Sequence, residues 1–398
     1  MTVYLDNNAT TPLAPEVREA MLPHLFAEFG NPSSPHAAGM AAKRAVGEAR
    51  GQVAGLIGAS SAEIMFTGSA TEANHAALLG VLRALADQDP GQGSARRHVV
   101  TTAVEHPSTL MLARDLTRDF ERQGWRVTVL PVDAAGIIDL DTLRAAVTDE
   151  TALVSVMWAN NETGAVMPVA AAAGIAKARG ALFHTDAVQA TGRLPVGADA
   201  AGADLLTLSA HKMHGPKGIG ALYIRKGTPF APLIHGHQER NRRGGTENVP
   251  AIVGFGVAAD LARIAAVDTA GITALRDRLE QGVLARWPGA RVNGAPMNGM
   301  GAAARLPNTS NIRFANARGG AVEAEELMMR LDRAGIAVSM GAACASGGQE
   351  PSHVLTAMGL TPNEAAASLR FSLSRYSTGD EVDAVLTELP ALHARLAA

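Results

Sequence analysis

Short β-rich runs alternate with amphipathic stretches from the N-terminus to about residue 250. Between Ala42 and Ile57 apolar residues recur at three- and four-residue steps, which predicts a helix after a short lead-in, Thr2–Pro15. Seven strands are predicted from short β-rich runs: Ile64–Thr67, His98–Val104, Arg126–Pro131, Ala152–Met157, Ala181–Thr185, Asp204–Ser209 and Gly220–Ile224. Helix-like stretches separate most of them, so the pattern indicates a largely parallel sheet covered by helices on both faces.

After about Pro250 the pattern changes to longer helices with isolated strands. The predicted helices lie near Thr273–Trp287, Ala321–Ala334 and Asp380–Ala397, and the predicted strands near Ser310–Ala315, Ile336–Ser339 and Leu369–Ser374. The polar, Gly- and Pro-marked stretch Ala86–Arg97 is predicted to be a surface excursion. We therefore predict a large α/β domain at residues 16–250 and a smaller α+β domain formed by residues 1–15 and 251–398.

Composition narrows the class of protein. The 398 residues carry 35 Lys and Arg against 38 Asp and Glu, a formal charge of −3. Binding to the phosphate backbone of a nucleic acid needs a clustered excess of positive charge, which this composition lacks. The most apolar runs, such as Ala152–Trp158, fall short of the roughly 18 residues that a membrane span requires, and no signal-peptide layout is present. We expect a cytoplasmic protein that binds neither nucleic acid nor membrane.

The chain contains one cysteine, Cys344, so neither an internal disulfide nor a multi-cysteine metal site within one chain is possible. A lone cysteine is most often a small buried apolar residue. Here it lies in a Gly/Ala/Ser-rich stretch that ends at Pro351, a composition typical of a loop. The neighbouring histidines His211 and His214 lack carboxylates at ligand spacing, and we predict no metal site.

Three features follow predicted strands in chain order. The turn Phe66–Glu72 leads into a helical run, with Ser69 and Glu72 spaced as a capping box, and such a helix N-terminus binds anions when it does more than cap. Asp186 ends one apolar run, where a buried carboxylate needs a cationic partner. Lys212 follows another; it either reaches to water or serves as an unprotonated amine. Together the three outline a pyridoxal phosphate (PLP) site.

At these residues the chain resembles the NifS/IscS-type cysteine desulfurases of the class V aminotransferase family, and the resemblance covers nearly its whole length. The matching stretches are Tyr4–Pro12, Asn31–His36, Phe66–Asn74, Glu105–His106, Asn160–Gly164, Asp186–Gln189, Ser209–Gly220, Gln238–Glu239, Gly245–Asn248, Cys344, Pro351–Met358 and Arg370–Arg375. The segments Gly245–Asn248 and Ser374–Tyr376 resemble the NifS-like branch more than the housekeeping branch. The resemblance implies PLP-dependent transferase fold type I, with a mostly parallel seven-stranded sheet in the large domain.

The resemblance also implies a role for each matched residue. Lys212 would hold PLP and move the α-proton, Asp186 would keep the ring nitrogen protonated, and His106 would stack on the ring. The remaining cofactor contacts would be Gln189 to the phenolic oxygen, Asn161, and Ala70, Thr71, Ser209, His211 and the other subunit's Thr246 around the phosphate. The substrate carboxylate would be bound by Asn161 and Arg370, with Asn7 and Asn8 at the substrate mouth.

The activity that the resemblance implies is removal of sulfur from L-cysteine, which gives L-alanine and a persulfide on Cys344. A homodimer would pass the sulfur to an acceptor protein, such as an iron–sulfur scaffold, for iron–sulfur cluster or nitrogenase assembly. Three alternatives stay open: a selenocysteine lyase, another class V PLP aminotransferase, and a non-catalytic sulfur-relay scaffold. The chain departs from the common family pattern at Ala342 and Ala345, beside the cysteine, and at His235–His237.

Overall fold

The computed structural model describes residues 2–88, 96–120, 124–294, 305–316, 318–341 and 351–396. The strands are β1 (Val3–Tyr4), β2 (Ile64–Thr67), β3 (His98–Thr102), β4 (Arg126–Leu130), β5 (Thr151–Ser155), β6 (Leu182–Asp186), β7 (Leu205–Ser209), β8 (Gly220–Ile224), β9 (Arg291–Asn293), β10 (Thr309–Arg313), β11 (Ile336–Ala337) and β12 (Ser368–Ser372). The helices are α1 (Pro15–Phe26), α2 (Ala37–Leu56), α3 (Ala70–Gln88), α4 (Pro107–Phe120), α5 (Leu140–Ala146), α6 (Val169–Ala178), α7 (Gln238–Asn241), α8 (Val249–Ala265), α9 (Ala270–Arg286), α10 (Ala324–Arg333), α11 (His353–Ala357), α12 (Pro362–Ala366) and α13 (Gly379–Leu396).

A seven-stranded sheet with the order β2-β8-β7-β6-β5-β3-β4 forms the centre of the molecule. Only β8 runs antiparallel to its two neighbours, and the other pairs are parallel. Side chains alternate between the faces: Leu206 packs in the core with α2 and α8, whereas Leu205 packs in the core with α3. Such two-sided burial explains why strands such as β7 and β8 are largely apolar, and the predicted sheet and fold class are confirmed.

A second core surrounds two smaller sheets. One is the antiparallel sheet β12-β10-β9, and the other pairs β1 with β11 in parallel, so the N-terminus joins the C-terminal part of the chain. The sequence predicted neither β1 nor β9, because strands of two and three residues are too short for a periodic pattern. Helix α8 spans the predicted boundary at residue 250 and packs in the first core through Phe255, and the two-domain division stays a prediction.

The predicted surface excursion Ala86–Arg97 overlaps a helix in the structure. Residues 86–88 belong to α3, so the surface excursion begins later than predicted, and residues 89–95 lie outside the described part.

Among the described residues no single helix is long and apolar enough to cross a membrane, although the pair α8 and α9, bent by 77°, passes that test jointly. In the same part of the chain no group of three or more His, Cys, Asp and Glu could hold a metal ion.

Candidate active site

The predicted lysine and aspartate meet at one edge of the central sheet. Asp186 is the last residue of β6, and Lys212 ends the 3-10 turn Ala210–Lys212, which directly follows β7. Strands β6 and β7 are parallel neighbours, so their carboxyl ends open onto the same edge of the sheet. This is where α/β folds of this kind bind their ligands.

Lys212 is held as an amine that is partly uncharged at neutral pH. Its Nζ donates hydrogen bonds to the backbone carbonyls of Asn8 and Ala9, both at 2.7 Å. Burial lowers the pKa of Lys212 to about 7, and the positive charges of Arg193 and Arg370 act in the same direction. An amine with that pKa is available as a nucleophile and as a base near neutral pH.

Asp186 is a buried carboxylate without a cationic partner among the described residues. Its side chain accepts hydrogen bonds from Asn74 Nδ2 at 2.8 Å and from the backbone N–H of Val188 at 3.0 Å. The residue is 6% exposed. A buried carboxylate gains most from a cation, and the protonated nitrogen of a pyridine ring would satisfy that need.

His106 immediately precedes α4 and is exposed to solvent. Nδ1 lies 2.8 Å from Ser108 Oγ and accepts a hydrogen bond from the Ser108 N–H at 3.2 Å. Desolvation by the surrounding protein lowers the pKa of His106. The charge of Asp186 opposes that shift, whereas the positive charges of Lys212 and His353 add to it. The lowered pKa favours a neutral imidazole, and the exposure of the residue is compatible with stacking on a ligand.

The predicted anion-binding turn leads into α3, whose first residues are Ala70 and Thr71. Ser69 Oγ accepts from the Glu72 N–H at 3.1 Å, as a capping box requires. The other half of the box is wrong: the Glu72 carboxylate accepts from the Gly68 N–H, one residue earlier, and also pairs with Arg243. The first N–H groups of the helix have no partner within it and can bind an anion.

Backbone contact between β8 and this turn requires a glycine. A Cβ on Gly220 would stand 2.6 Å from the carbonyl carbon of Ser69 and 2.8 Å from the Ala70 nitrogen. On the same side, Ser209 is buried at the end of β7, and His211 Nδ1 lies 3.1 Å from Thr10 Oγ1. Burial lowers the pKa of His211 to about 4, so this histidine is neutral at physiological pH.

Arg370, on β12, connects the smaller sheet to the site. It is 2% exposed and donates to the Asn161 carbonyl at 3.1 Å and to Asp6 Oδ1 at 2.6 Å. Sequence analysis missed Asp6, whose carboxylate contacts the guanidinium that is predicted to bind the substrate carboxylate. A second buried guanidinium, Arg193, donates to both oxygens of Gln189 and to the Asn7 carbonyl.

Asn7 and Asn8 tie the N-terminal segment to the rest of the site, and both are 1% exposed. Asn7 Nδ2 donates to the Ser372 carbonyl, and Asn8 Nδ2 donates to Thr309 Oγ1. The Asn8 carbonyl accepts from Gln189 Nε2 at 3.0 Å as well as from the lysine amine. Their side chains thus serve this connection, and the predicted place at the substrate mouth stays a prediction.

Cys344 lies outside the described residues, but the residues that flank its segment meet at one side chain. Ser352 Oγ donates to Glu162 Oε2 at 2.5 Å. Gly341 has a φ of 88°, and a Cβ there would stand 2.8 Å from the same oxygen. Burial raises the pKa of Glu162, which sequence analysis did not single out. The described residues on both sides of the segment that contains Cys344, Gly341 and Ser352, therefore contact Glu162, which directly follows Asn161.

Thr246 is exposed at the surface. It follows α7, which is a left-handed turn because Glu239, Arg240 and Asn241 have φ values of 48°, 58° and 63°. The buried pair of Glu239 with Arg50 anchors this turn. The predicted role of Thr246 concerns a second subunit and stays a prediction.

The residues present fit PLP. The unpaired carboxylate, the neutral amine, the open imidazole ring and the helix N-terminus are the groups that would hold its ring nitrogen, aldehyde carbon, ring face and phosphate. Positive charge from Arg193 and Arg370 favours such an anionic ligand.

Comparison with known proteins identifies the class first. Residues 3–385 match the class-V aminotransferase family, to which the chain belongs and whose cofactor is PLP. The chain is 52% identical to a cysteine desulfurase from Cereibacter sphaeroides over 98% of its own length and 95% of that protein, and 45% identical to the cysteine desulfurase NifS from Azotobacter vinelandii, over 99% and 93%. The cysteine desulfurases are therefore its branch of the family.

Solved structures agree with this placement. A NifS-like protein superimposes with a TM-score of 0.87 at 36% identity over the full length of both chains. A structure described as SspA in complex with cysteine gives a TM-score of 0.78 at 33% identity, over 95% of this chain and 100% of the other.

Proposed function

We propose that this protein is a PLP-dependent cysteine desulfurase, which converts L-cysteine to L-alanine and takes up the sulfur as a persulfide on Cys344. The observation that carries the proposal is the neutral amine of Lys212 beside the buried, unpaired carboxylate of Asp186, at adjacent strand ends. The cysteine desulfurases that the chain resembles over almost its whole length support the choice of substrate.

PLP, when bound, supplies an aldehyde for the lysine amine and a ring that withdraws electrons from the α-carbon of an amino acid. Asp186 would hold the proton on the ring nitrogen, and His106 would cover the ring face. Lys212, whose pKa of about 7 leaves it unprotonated in part, takes the α-proton of the substrate. Arg370 exchanges Asp6 for the substrate carboxylate, a ligand of the same chemistry.

The thiolate of Cys344 attacks the substrate sulfur. The carbon–sulfur bond of the substrate breaks, a sulfur–sulfur bond forms, and protons from the two reacting groups return to the carbon skeleton, which leaves as alanine. Substrate and enzyme thiol together contain every atom of the two products, so the step needs no external oxidant. An ordinary thiol, with a pKa of about 8.5, is only a few per cent thiolate at neutral pH, so the cysteine requires local activation.

The active form is proposed to be a homodimer in which Thr246 of one subunit completes the phosphate site of the other. The exposed position of Thr246 supports this arrangement. So does the apolar surface at the end of α1, where Leu25, Phe26 and Phe29 are 55%, 78% and 85% exposed, since such side chains are usually covered by a partner.

The acceptor of the sulfur is proposed to be an iron–sulfur scaffold protein in the cytoplasm. The similarity to a protein named NifS supports a role in cluster assembly for nitrogen fixation. The near-neutral charge and single cysteine are consistent with a reducing compartment.

The first experiment measures alanine and sulfide from L-cysteine with purified protein, PLP and a reducing thiol. Equal yields of alanine and sulfide are expected. Pyruvate and ammonia with sulfide would instead indicate a β-elimination lyase, and absence of turnover would contradict the proposal.

Variants assign the two steps. Cys344→Ala should keep the spectral response to L-cysteine and lose sulfide release, and normal turnover would show that another nucleophile takes the sulfur. Lys212→Ala should lose the visible absorption of the bound cofactor, whereas Lys217→Ala, at an exposed lysine five residues away, should keep it.

A further inference from the structure

A continuous chain of hydrogen bonds connects Asp186, the residue expected at the ring nitrogen of the cofactor, with His106, the residue expected on the ring face. Asn74 Nδ2 donates to Asp186 Oδ2 at 2.8 Å and to Ser108 Oγ at 3.0 Å. Ser108 Oγ in turn lies 2.8 Å from His106 Nδ1. Asn74 is 1% exposed and Ser108 is 9% exposed, so water has little access to the two hydrogen bonds that Asn74 donates.

The chemistry of each group fixes the direction of the chain. An ionised carboxylate only accepts, so the amide nitrogen of Asn74, and not its oxygen, faces Asp186. The second N–H of that amide donates to Ser108 Oγ, which leaves the serine hydroxyl proton for His106 Nδ1. The backbone N–H of Ser108 donates to the same Nδ1 at 3.2 Å. Two donors therefore face Nδ1, and the imidazole proton resides on Nε2.

The two ends of the Asn74 amide differ in their hydrogen bonding: the nitrogen donates two hydrogen bonds, and the oxygen has no partner among the described residues. Asn74 Oδ1 is also buried. An unpartnered buried carbonyl opposes folding, whereas an apolar side chain of similar size would avoid that cost. Sequence analysis included Asn74 in a matching stretch but gave it no role.

We propose that Asn74 is a positioning residue, which acts through Ser108 to orient His106 and to hold its ring as the neutral Nε2–H tautomer next to Asp186. The inference rests on the proposed function, because it concerns the ring that would cover the cofactor. It makes His106 a hydrogen-bond donor through Nε2 at the start of the reaction. A base for the Cys344 thiol must then come from elsewhere in the site.

The charged and titratable groups around the ring come from three elements. Asp186 reaches it from β6 and favours the protonated ring, whereas Lys212 after β7 and His353 on α11 disfavour protonation. Among the described residues, the contacts that distinguish the two ring nitrogens are those of Ser108 to Nδ1. Their removal is therefore expected to change both the tautomer and the pH midpoint of His106.

The test is nuclear magnetic resonance of the full-length protein with ¹⁵N-labelled histidine, with PLP and again without it, and with His106→Gln to assign the signals. In the parent protein Nδ1 should be unprotonated and Nε2 protonated. Asn74→Leu and Ser108→Ala should each raise the midpoint of His106 by half a pH unit or more, about a threefold change in proton affinity. Ser108→Thr keeps the hydroxyl and should restore the parent midpoint.

Two comparisons separate positioning from a general structural effect. Thr109→Val is the matched control, since Thr109 Oγ1 is buried without a partner among the described residues, and this variant should leave the midpoint unchanged. In the double variant of Asn74 and Ser108 the shift should equal the larger single shift, because the two residues act in series. Additive shifts, or an unchanged midpoint in Ser108→Ala, would overturn the proposal.

The resonance measurement is independent of turnover. A protein that fails to release sulfide but shows the expected His106 shifts would refute the proposed function and retain this inference. A protein that releases alanine and sulfide equally but has Nδ1 protonated in the parent would do the reverse.

Discussion

The protonation state of Lys212 can be measured in the cofactor-free protein, before any chemistry takes place. With its pKa at about 7, about half of the Lys212 side chains are neutral at pH 7, compared with about one in 3,000 for a lysine at its ordinary value of 10.5. That difference of three orders of magnitude in free amine is large enough to dominate the rate at which the side chain reacts with any electrophile.

Two substitutions test the causes of the shift with opposite signs. Burial is the largest cause, and the charge of Arg193 is the next, so Arg193→Met should raise the pKa of Lys212 while leaving it well below 10.5. Asp6 opposes the shift, so Asp6→Asn should lower the pKa further. A common structural disturbance would move both variants in the same direction.

The assay is trace acetylation with isotope-labelled acetic anhydride between pH 5 and pH 11, with mass spectrometry of the peptides. The exposed Lys217 provides an internal reference in the same digest. A Lys212 midpoint at or above pH 9 would refute the assignment of a neutral amine, and shifts of equal sign in the two variants would refute the assigned causes.

Two further predictions concern buried carboxyl groups. Glu239→Gln breaks the buried pair with Arg50 and should lower the free energy of unfolding in urea by about 3 kcal/mol or more, whereas Glu150→Gln, at an exposed pair, should cost about 1 kcal/mol or less. Burial raises the pKa of Glu105 from 4.5 to about 8, so the folded state binds the extra proton and stability falls as the pH rises through that interval. Glu105→Gln should remove this slope, and an unchanged slope would contradict the protonated state of Glu105.

Most of the central sheet was predictable because its inner strands are buried on both faces, whereas the edge strand β4 is partly exposed. Such strands are continuous apolar runs between turn signals, and the predicted bounds of Ile64–Thr67 and Gly220–Ile224 match the structure at both ends. The other central strands differ by one or two residues, where strand ends fray into loops. The left-handed turn at Glu239 was not predicted, since the strain there is imposed by a distant partner, Arg50, and not by local sequence.

For the site, predictability followed the distance over which each residue acts. Lys212 and Asp186 were found from the sequence because a charged residue at the end of an apolar run conflicts with its immediate surroundings. Asn74 and Asp6 act on residues 112 and 364 positions away, and neither disturbs a local pattern. A buried amide in a helix and a polar residue near the N-terminus are ordinary features until the tertiary contacts are known.

The charges of the site explain why one arrangement suits both the cofactor and the substrate. Arg193 and Arg370 depress the pKa of Lys212 because cations close together in a buried site repel a third. The same excess of positive charge stabilises anions, and PLP and an amino acid both bring them, as phosphate and carboxylate. Asp6 pairs with Arg370, so the guanidinium is not a buried, uncompensated charge, and in the proposed mechanism the substrate carboxylate takes the place of Asp6. Burial is the largest cause of the lowered pKa of Lys212, and the cations that add to it are the same ones that favour anionic ligands in this site.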